Sequence, residues 1–296
     1  MTGRGTVVAA MAGTLLLAGC TSGADGGSAG PATTAPAPGA ADGADGTPSP
    51  TATGDEDEPY TMDEERAPKT RAEAVAFVRG LTVRPDNFGP GFRKAQPFES
   101  DPAGWAVLDE DCVWQRQPLP GTVLASLTRR FVLPGEGDRG PVHVSLTVTV
   151  HKDTTAARRD MALSLEEALR CPDQRLNATE RVRGLYSRAD PFSEARNGIT
   201  DDDLVETGEY LVDGTKGALQ FDWFKYRLGP VTVAATDRIG AGHSAEEATD
   251  IAGGVAQGAG HTSAEIDSIG GNTAKDAATA GSEESTGTAE ETEGSR

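Results

Sequence analysis

Residues 142–151 read VHVSLTVTVH, which is the most regular stretch of the chain. Apolar and polar side chains alternate through it, and this two-residue period is typical of a β-strand with one buried face. Residues 123–131 alternate in the same way, and the Gly- and Pro-rich segment 134–141 joins the two stretches. Together they predict a long antiparallel hairpin with one buried face and one wet face.

Helical patterns lie on both sides of this hairpin in the sequence. Thr70 and Glu73 form a capping box, which predicts a helix that ends near Arg79. Residues 154–170 change to helical spacing, and the helix is predicted to stop before Pro172. The predicted buried face of this second helix comprises Met161, Leu165, Ala168 and Leu169.

A second group of strand-like segments follows. Its strands are predicted at residues 182–186, 210–212, 218–226 and 231–235. Ser244 and Glu247 then form another capping box, and the adjacent Gly253 and Gly254 are expected to weaken the helix that begins there. The order α-β-β-β-α-(β)-β-β-β-α predicts an α+β fold, in which helices cover an antiparallel β-sheet.

The composition of the chain is uneven. Hydrophobic residues make up 36% of its 296 residues, because residues 21–54 are almost all Ala, Gly, Pro, Ser and Thr, and residues 271–296 lack Leu, Ile, Val and aromatic residues. Neither segment can bury enough apolar surface to offset its ordering entropy. We therefore expect a signal peptide at 1–19, a lipidated cysteine and disordered tether at 20–61, a single globular domain at 62–270 and a disordered acidic tail at 271–296.

The net charge limits the classes of partner. The chain carries a formal charge of −19, of which −7 belongs to residues 21–61 and −4 to residues 271–296. Nucleic-acid binding needs a basic surface that displaces counterions, so this balance excludes nucleic acid. No apolar stretch reaches the roughly 18 residues of a transmembrane helix, so any membrane association requires another anchor.

The first twenty residues, MTGRGTVVAAMAGTLLLAGC, have the short apolar core of a secretory signal peptide. Their last four, Leu17, Ala18, Gly19 and Cys20, resemble the lipobox of bacterial lipoproteins. The resemblance implies cleavage before Cys20 and attachment of acyl chains such as palmitate, which would anchor the protein to the extracytoplasmic face of the cell membrane. The alternative is an ordinary signal peptide with an unrelated cysteine.

Two cysteines remain after Cys20 is lipidated. Cys112 and Cys171 would be exported together, and a cysteine pair in an oxidising compartment favours a disulfide. A reactive or metal-binding thiol pair is the alternative, although the chain has no C-x-x-C motif.

Chemistry-bearing motifs are absent from the sequence. It has no nucleophile elbow, zincin motif, P-loop or dinucleotide fingerprint, so no catalytic residue, metal ligand or cofactor is predicted. His143 and His151 are expected to face solvent. The acidic run at 201–203 with Glu206 is expected to be a solvated turn rather than a calcium loop.

One strand carries aromatic residues on both of its predicted faces. These residues are Phe221, Trp223, Phe224 and Tyr226. One face must belong to the core, and the other is a candidate for the wall of a ligand-binding groove or for a surface beneath a helix.

The whole chain resembles actinobacterial cell-envelope lipoproteins. Residues 62–270 also resemble the extracellular sensor domains of the PknH type and related small mycobacterial lipoproteins, through the Cys112-Val113-Trp114 segment, the middle helix and the late strand ahead of an Ala-rich helix. The resemblance implies an α/β sandwich, PsbP-like or PknH-sensor-like, with a central cleft that binds a ligand. The chain has one predicted disulfide where that family has two.

Three functions are consistent with the sequence. The first is a non-enzymatic ligand-binding or sensor module that takes a small molecule, a lipid or a cell-wall fragment. The second is a structural or protein-partner-binding lipoprotein without a small ligand, whose partner is unknown. The third is an envelope enzyme with an unfamiliar catalytic set.

The predicted anchor can be tested by Cys20→Ala. Without the thiol no acyl chain can be attached, so the protein should move from the membrane fraction to the medium, as measured by fractionation and immunoblotting. Ser28→Ala, in the tether, should leave the protein with the membranes. Unchanged fractionation of Cys20→Ala would contradict the lipoprotein assignment.

Overall fold

The computed structural model of the chain describes residues 58–188, 199–215 and 218–284. The lipobox residues Leu17, Ala18 and Gly19 and the predicted lipidation site Cys20 lie outside the described residues, as do nearly all of the predicted tether and the last part of the predicted tail.

Ten strands and four α-helices follow one another along the described chain, with a short 3₁₀ helix near the start. In order they are α1 (Arg71–Gly80), the 3₁₀ helix (Pro85–Phe88), β1 (Arg93–Glu99), β2 (Gly104–Leu108), β3 (Trp114–Pro118), β4 (Val123–Leu133), β5 (Val142–His151), α2 (Thr154–Arg170), β6 (Gln174–Arg175), β7 (Glu180–Arg188), β8 (Asp202–Val212), β9 (Leu219–Leu228), β10 (Val231–Ile239), α3 (Ala245–Gly270) and α4 (Asn272–Glu284).

Eight of the strands form one antiparallel sheet in the order β1-β4-β5-β10-β9-β8-β7-β6, while β2 and β3 form a separate hairpin. The α+β fold predicted from the sequence is therefore confirmed. The strand predicted at 182–186 is longer, as β7, and the two-residue β6 pairs outside it at the sheet edge.

The main core lies between one face of the sheet and the helices α1 and α3. It contains the apolar set of β5, and it includes Phe88, Phe131 and Phe224 among its fully buried side chains. The Phe88 and Phe131 ring centroids lie 4.7 Å apart, which is within the range of favourable aromatic pairs. The capping box of Thr70 and Glu73 begins α1 as predicted.

The last core helix differs from its prediction. Gly253 and Gly254 do not end or shorten α3, which runs for 26 residues. Its glycines allow close approach to the 3₁₀ helix, because a Cβ on Gly258 would lie 2.5 Å from the ring of Phe88 and one on Gly254 would lie 2.6 Å from the Phe88 carbonyl oxygen. Packing against this residue thus compensates for the low helix propensity of glycine.

The second helix is rotated relative to its prediction. Leu165 and Leu169, expected on its buried face, are 43% and 86% exposed. Met161 and Ala168 are buried as expected, and Ser164 lies between them on the buried side. The reason is that α2 lies against the polar face of the sheet, so its buried side includes polar residues that an apolar-pattern search leaves out.

Both ends of the domain extend beyond their predicted boundaries. Tyr60 forms a β-bridge with Thr200, and α4 occupies residues 272–284, where the sequence predicts an unstructured tail. The carboxylate of Asp267 accepts hydrogen bonds from the backbone N–H groups of Thr61, Asn272 and Thr273. This buried acid therefore joins the start of the domain to the beginning of α4, a long-range contact that composition does not reveal.

The predicted disulfide is confirmed. Cys112, in the turn of the β2–β3 hairpin, is bonded to Cys171 at the end of α2, and the two cysteines are separated by 59 positions in the sequence. Closing a loop of this length stabilises the fold by about 4 kcal/mol in the chain-entropy model.

The packing of α3 predicts opposite effects for two glycine substitutions. Gly258→Ala should lower the free energy of unfolding by about 1–3 kcal/mol, because the added methyl group overlaps the buried ring of Phe88. Gly260→Ala has no atom within 4 Å of the new Cβ and should raise the free energy of unfolding by about 0.5–1 kcal/mol. Urea denaturation measures both values, and shifts of the same sign would contradict the proposed close approach.

Candidate functional site

A cavity of about 370 Å³ lies on the polar face of the sheet. Helix α2 and the β2–β3 hairpin cover this face, and we call these two elements the cover. The floor is formed largely by small hydroxyl side chains. They include Ser126, Thr128, Ser145, Thr147, Thr149 and Thr236.

The register of the sheet arranges this floor. Glu206 pairs with Trp223, Trp223 with Thr236, and Thr236 with Ser145, so four neighbouring strands contribute one row of side chains. Residues paired across antiparallel strands point to the same face, which places all four on the cavity side. The face of β5 expected to be wet is thus polar as predicted, but it is partly enclosed rather than open to solvent.

All three tryptophans of the chain line the cavity. Trp223 comes from the floor, whereas Trp105 and Trp114 come from the hairpin of the cover. Leu163 of α2 and Phe221 of β9 contribute apolar side chains to the cavity wall. The cavity therefore has an aromatic and aliphatic wall above a hydroxyl-rich floor, as small-molecule sites commonly have.

The four residues of the candidate groove divide between the two faces of β9. Phe221 and Trp223 line the cavity, whereas Phe224 and Tyr226 belong to the main core on the opposite face. Half of the predicted set is therefore brought together at the cavity. The other half is core because alternate residues of a strand point to opposite faces.

A buried charged cluster joins α2 to the floor. The Lys225 ammonium lies 2.8 Å from the Asp160 carboxylate and donates to the Ser164 hydroxyl, also at 2.8 Å. His151, only 2% exposed, contacts the same carboxylate at 3.4 Å, which corrects the expectation that it faces solvent. Burial would raise the pKa of Asp160, but the charge of Lys225 and the hydrogen bond from His151 outweigh it and hold that pKa well below its usual range.

Two acids of the cavity have no cationic partner within ion-pair distance among the described residues. Glu206 is 3% exposed and accepts one long hydrogen bond, 3.4 Å, from the Ser187 hydroxyl. Burial raises its pKa to about 8, against the opposing charge of Lys225. Burial likewise raises the pKa of Glu167, on α2, to about 7. At neutral pH these two carboxyl groups thus carry much less negative charge than exposed acids would.

Several contacts hold the cover together. The Trp114 indole N–H donates to the Gln174 side-chain oxygen at 2.8 Å, and the Arg175 N–H donates to the Cys112 carbonyl oxygen at 2.8 Å. The Arg170 guanidinium also donates to the Asp109 carbonyl oxygen at 3.0 Å. Together with the disulfide, these bonds fix the hairpin against the end of α2, so the cavity wall is preformed.

The acidic run at 201–203 is not a solvated turn. Asp201 and Asp202 both pair with the buried Arg227, and Asp201 also accepts a hydrogen bond from the Gly229 N–H at 2.6 Å. The run begins β8 and satisfies a buried cation. Within residues 58–188, 199–215 and 218–284, no group of three or more His, Cys, Asp or Glu side chains is arranged to hold a metal ion.

Comparisons with known proteins give little further information. No family model matches the chain, and no curated protein matches it. Among solved structures, an uncharacterised Mycobacterium smegmatis protein, the Rv0999 ortholog, is similar over 67% of this chain and 100% of its own, at 12% identity and a TM-score of 0.28. Among the described helices, none is both long and apolar enough to cross a bilayer.

The raised pKa of Glu206 predicts how stability depends on pH. A carboxyl group whose pKa is about 8 in the folded state and near 4.5 when unfolded binds its proton more tightly in the folded state. The folded state therefore loses stability as pH rises from about 4.5 to about 8. Glu206→Gln abolishes this loss, so relative to the parent it should gain roughly 1–3 kcal/mol of unfolding free energy between pH 5 and pH 8.

Urea denaturation at the two pH values measures this gain. Taking the difference from the parent removes the contribution of other buried acids, such as Asp237 on the core face, whose pKa burial and Asp222 also raise. Glu246→Gln makes the same change at an exposed position of α3 and should follow the parent. A Glu206→Gln curve parallel to the parent curve would contradict the prediction.

Proposed function

We propose that this protein is an extracytoplasmic, membrane-anchored lipoprotein whose domain binds a small amphipathic molecule in the covered cavity and does not transform it. The observation that supports this most directly is the cavity of about 370 Å³ lined by every tryptophan of the chain. Its volume falls in the range of small-molecule sites. A domain without a ligand would gain stability by filling such a space with side chains.

The hydroxyl floor suits binding of a partly apolar molecule. Ser126 and Thr149 are hydrogen-bonded to each other at 2.9 Å, and Thr128 and Thr147 at 2.8 Å. Because these groups already have partners, an apolar part of a ligand can cover them without leaving unsatisfied polar atoms. They can also rotate to hydrogen-bond a polar group of the ligand.

The charged cluster supports binding rather than catalysis. Lys225, Asp160 and His151 satisfy one another and connect α2 to the floor. A catalytic nucleophile or base must instead reach a substrate atom. We assign these three residues the structural role of holding the cover in position.

The anchor and the domain together imply a sensor-like arrangement. If residues 21–54 form the flexible coil that their composition predicts, these 34 residues would span roughly 30–35 Å and would place the cavity in the cell-wall space above the membrane. The resemblance to PknH-type sensor domains is consistent with this role, and a small molecule, a lipid or a cell-wall fragment remains the proposed ligand class.

Energy transfer from the cavity tryptophans to N-phenyl-1-naphthylamine, an uncharged apolar fluorophore, tests the binding function. The full-length chain carrying Cys20→Ala should show saturable transfer. Ala234→Phe places a ring on the cavity floor and should weaken binding at least about tenfold, by steric exclusion. Ala162→Phe makes the same change at an exposed position of α2 and should bind like the parent.

Transfer that does not saturate, or that Ala234→Phe leaves unchanged, would contradict binding in the cavity and favour the partner-binding alternative. Native mass spectrometry of the protein purified from the producing organism identifies the natural ligand as an added mass, which Ala234→Phe should reduce.

A further inference from the structure

A cluster of basic side chains lies at one end of the cavity, although the chain as a whole carries a formal charge of −19. We infer that this cluster, which comprises Arg116, Arg130, Arg238 and His143, binds an anionic head group, a phosphate or carboxylate, whose apolar body occupies the tryptophan-lined cavity. This inference rests on the proposed binding function and adds the chemical class of the ligand.

The sheet register places the basic cluster next to the cavity. Arg238 pairs with His143 across β10 and β5, and Arg130 pairs with Ser145 across β4 and β5. Ser145 is itself part of the cavity floor. Arg116 reaches the same region from the hairpin of the cover.

The cavity and the cluster adjoin each other at Arg238. Arg238 lines the cavity and also an adjoining concavity of about 500 Å³, whose other walls include Arg130, His143 and Lys94. Because one guanidinium borders both spaces, a molecule with its apolar part among the tryptophans can place its head group at Arg238.

The arginines differ in how far they are satisfied. Arg238 is paired with Glu180 at 2.7 Å, and Arg116 donates to the carbonyl oxygens of Asp101 and Gly104 at 3.3 and 3.0 Å. Arg130 is half-buried and has neither a hydrogen bond nor an ion pair with any described residue. Its guanidinium therefore has all five N–H donors free for an external acceptor.

The cluster is electrostatically unfavourable without an anion. Burial lowers the pKa of Arg130, and the charges of Arg116 and Arg238 lower it further. Burial and the charge of Arg238 also lower the pKa of His143, and the carboxylate of Glu180 only partly opposes this. An anion between the arginines would replace this repulsion with charge-assisted hydrogen bonds, and the planar guanidinium matches phosphate and carboxylate in geometry.

The acidic residues of the cavity do not favour a cation instead. Burial keeps Glu206 and Glu167 largely or partly protonated near neutral pH, and Asp160 is already paired with Lys225. The arginines keep their charge throughout this range. The unsatisfied charge around the cavity is therefore positive.

Competition against N-phenyl-1-naphthylamine, with the full-length Cys20→Ala chain, tests this inference. Four competitors carry an eight-carbon chain, which in octanoate includes the carboxylate carbon, and differ in the head group: octyl phosphate, octanoate, octan-1-ol and octyltrimethylammonium. Octyl phosphate or octanoate should displace the fluorophore at a concentration at least about tenfold below that of octan-1-ol. The reason is that an anionic head group forms charge-assisted hydrogen bonds with the arginines, whereas the hydroxyl group of octan-1-ol does not. Inorganic phosphate is the fifth competitor.

Arg130→Gln should abolish the preference of the anionic heads over octan-1-ol and leave octan-1-ol binding unchanged. Arg181→Gln removes the same charge from an exposed position of β7 that lines neither space, and it should retain the preference. Arg130→Gln should unfold at the same temperature as the parent or higher, because it removes an unpaired cation. A purely structural Arg130 would instead lower the unfolding temperature and weaken all octyl compounds alike, which would overturn the inference.

The other outcomes separate this inference from the proposed function. Equal displacement by octan-1-ol, or stronger displacement by octyltrimethylammonium, would overturn the anionic head group while leaving cavity binding intact. Inorganic phosphate as potent as octyl phosphate would overturn the idea that head and body belong to one molecule. Failure of the fluorophore itself to bind would reject the proposed function.

Discussion

The antiparallel pairing of β5 with β4 on one side and β10 on the other is the constraint on which the rest of the domain depends. Because successive residues of a strand point to opposite faces, this register sends Val144, Leu146 and Val148 into the main core and Ser145, Thr147 and Thr149 to the cavity floor. A shift of one residue would exchange the two sets and leave neither α3 nor α2 with a complementary surface. The core and the site are thus specified by the same hydrogen-bond ladder.

The two faces are covered in different ways. Helix α3 packs closely on apolar residues, aided by glycines that face Phe88. Helix α2 lies over hydroxyl groups, and a helix with an apolar face would not complement this polar surface. It is held instead by the Asp160–Lys225 pair, by Met161 and Ala168, and by the disulfide to the hairpin. A cavity remains beneath α2 because a few separate contacts hold the helix in place. Side chains therefore need not fill all of the space between the helix and the sheet.

Most of the fold could be predicted from the sequence because its signals are local. Alternation identified β4 and β5, a capping box identified the start of α1, and the helical spacing of residues 154–170 matched α2 in full. The failures have a common origin in long-range contacts. The length of α3 depends on Phe88, the burial of His151 depends on Asp160, and the ordering of residues 272–284 accompanies contacts of Asp267. These contacts join residues that are far apart in the sequence or depend on tertiary packing, so composition does not reveal them.

The site was only partly predictable. The sequence pattern identifies Phe221 and Trp223 as groove candidates, but it identifies Phe224 and Tyr226 equally. The sequence of a single strand does not show which of its two faces belongs to the core. Trp105, Arg116 and Arg130 were missed, since they come from segments whose spatial relation is set by the disulfide and the sheet. One local feature of the sequence does indicate a covered polar face. The polar face of β5 carries Ser145, Thr147 and Thr149 between its two terminal histidines, with no lysine or glutamate.

Short hydroxyl side chains suit a partly enclosed polar face because they can satisfy one another when water is excluded, as the pairs Ser126–Thr149 and Thr128–Thr147 do. Lysine or glutamate there would need a partner or solvent, and Lys225, the nearest example on β9, has both Asp160 and Ser164. Arg130 departs from this rule, because it is half-buried and has no described partner. Among the described side chains of this polar face, the guanidinium of Arg130 therefore holds unused hydrogen-bond donors, whereas the buried carboxyl of Glu206 has one long hydrogen bond and a raised pKa.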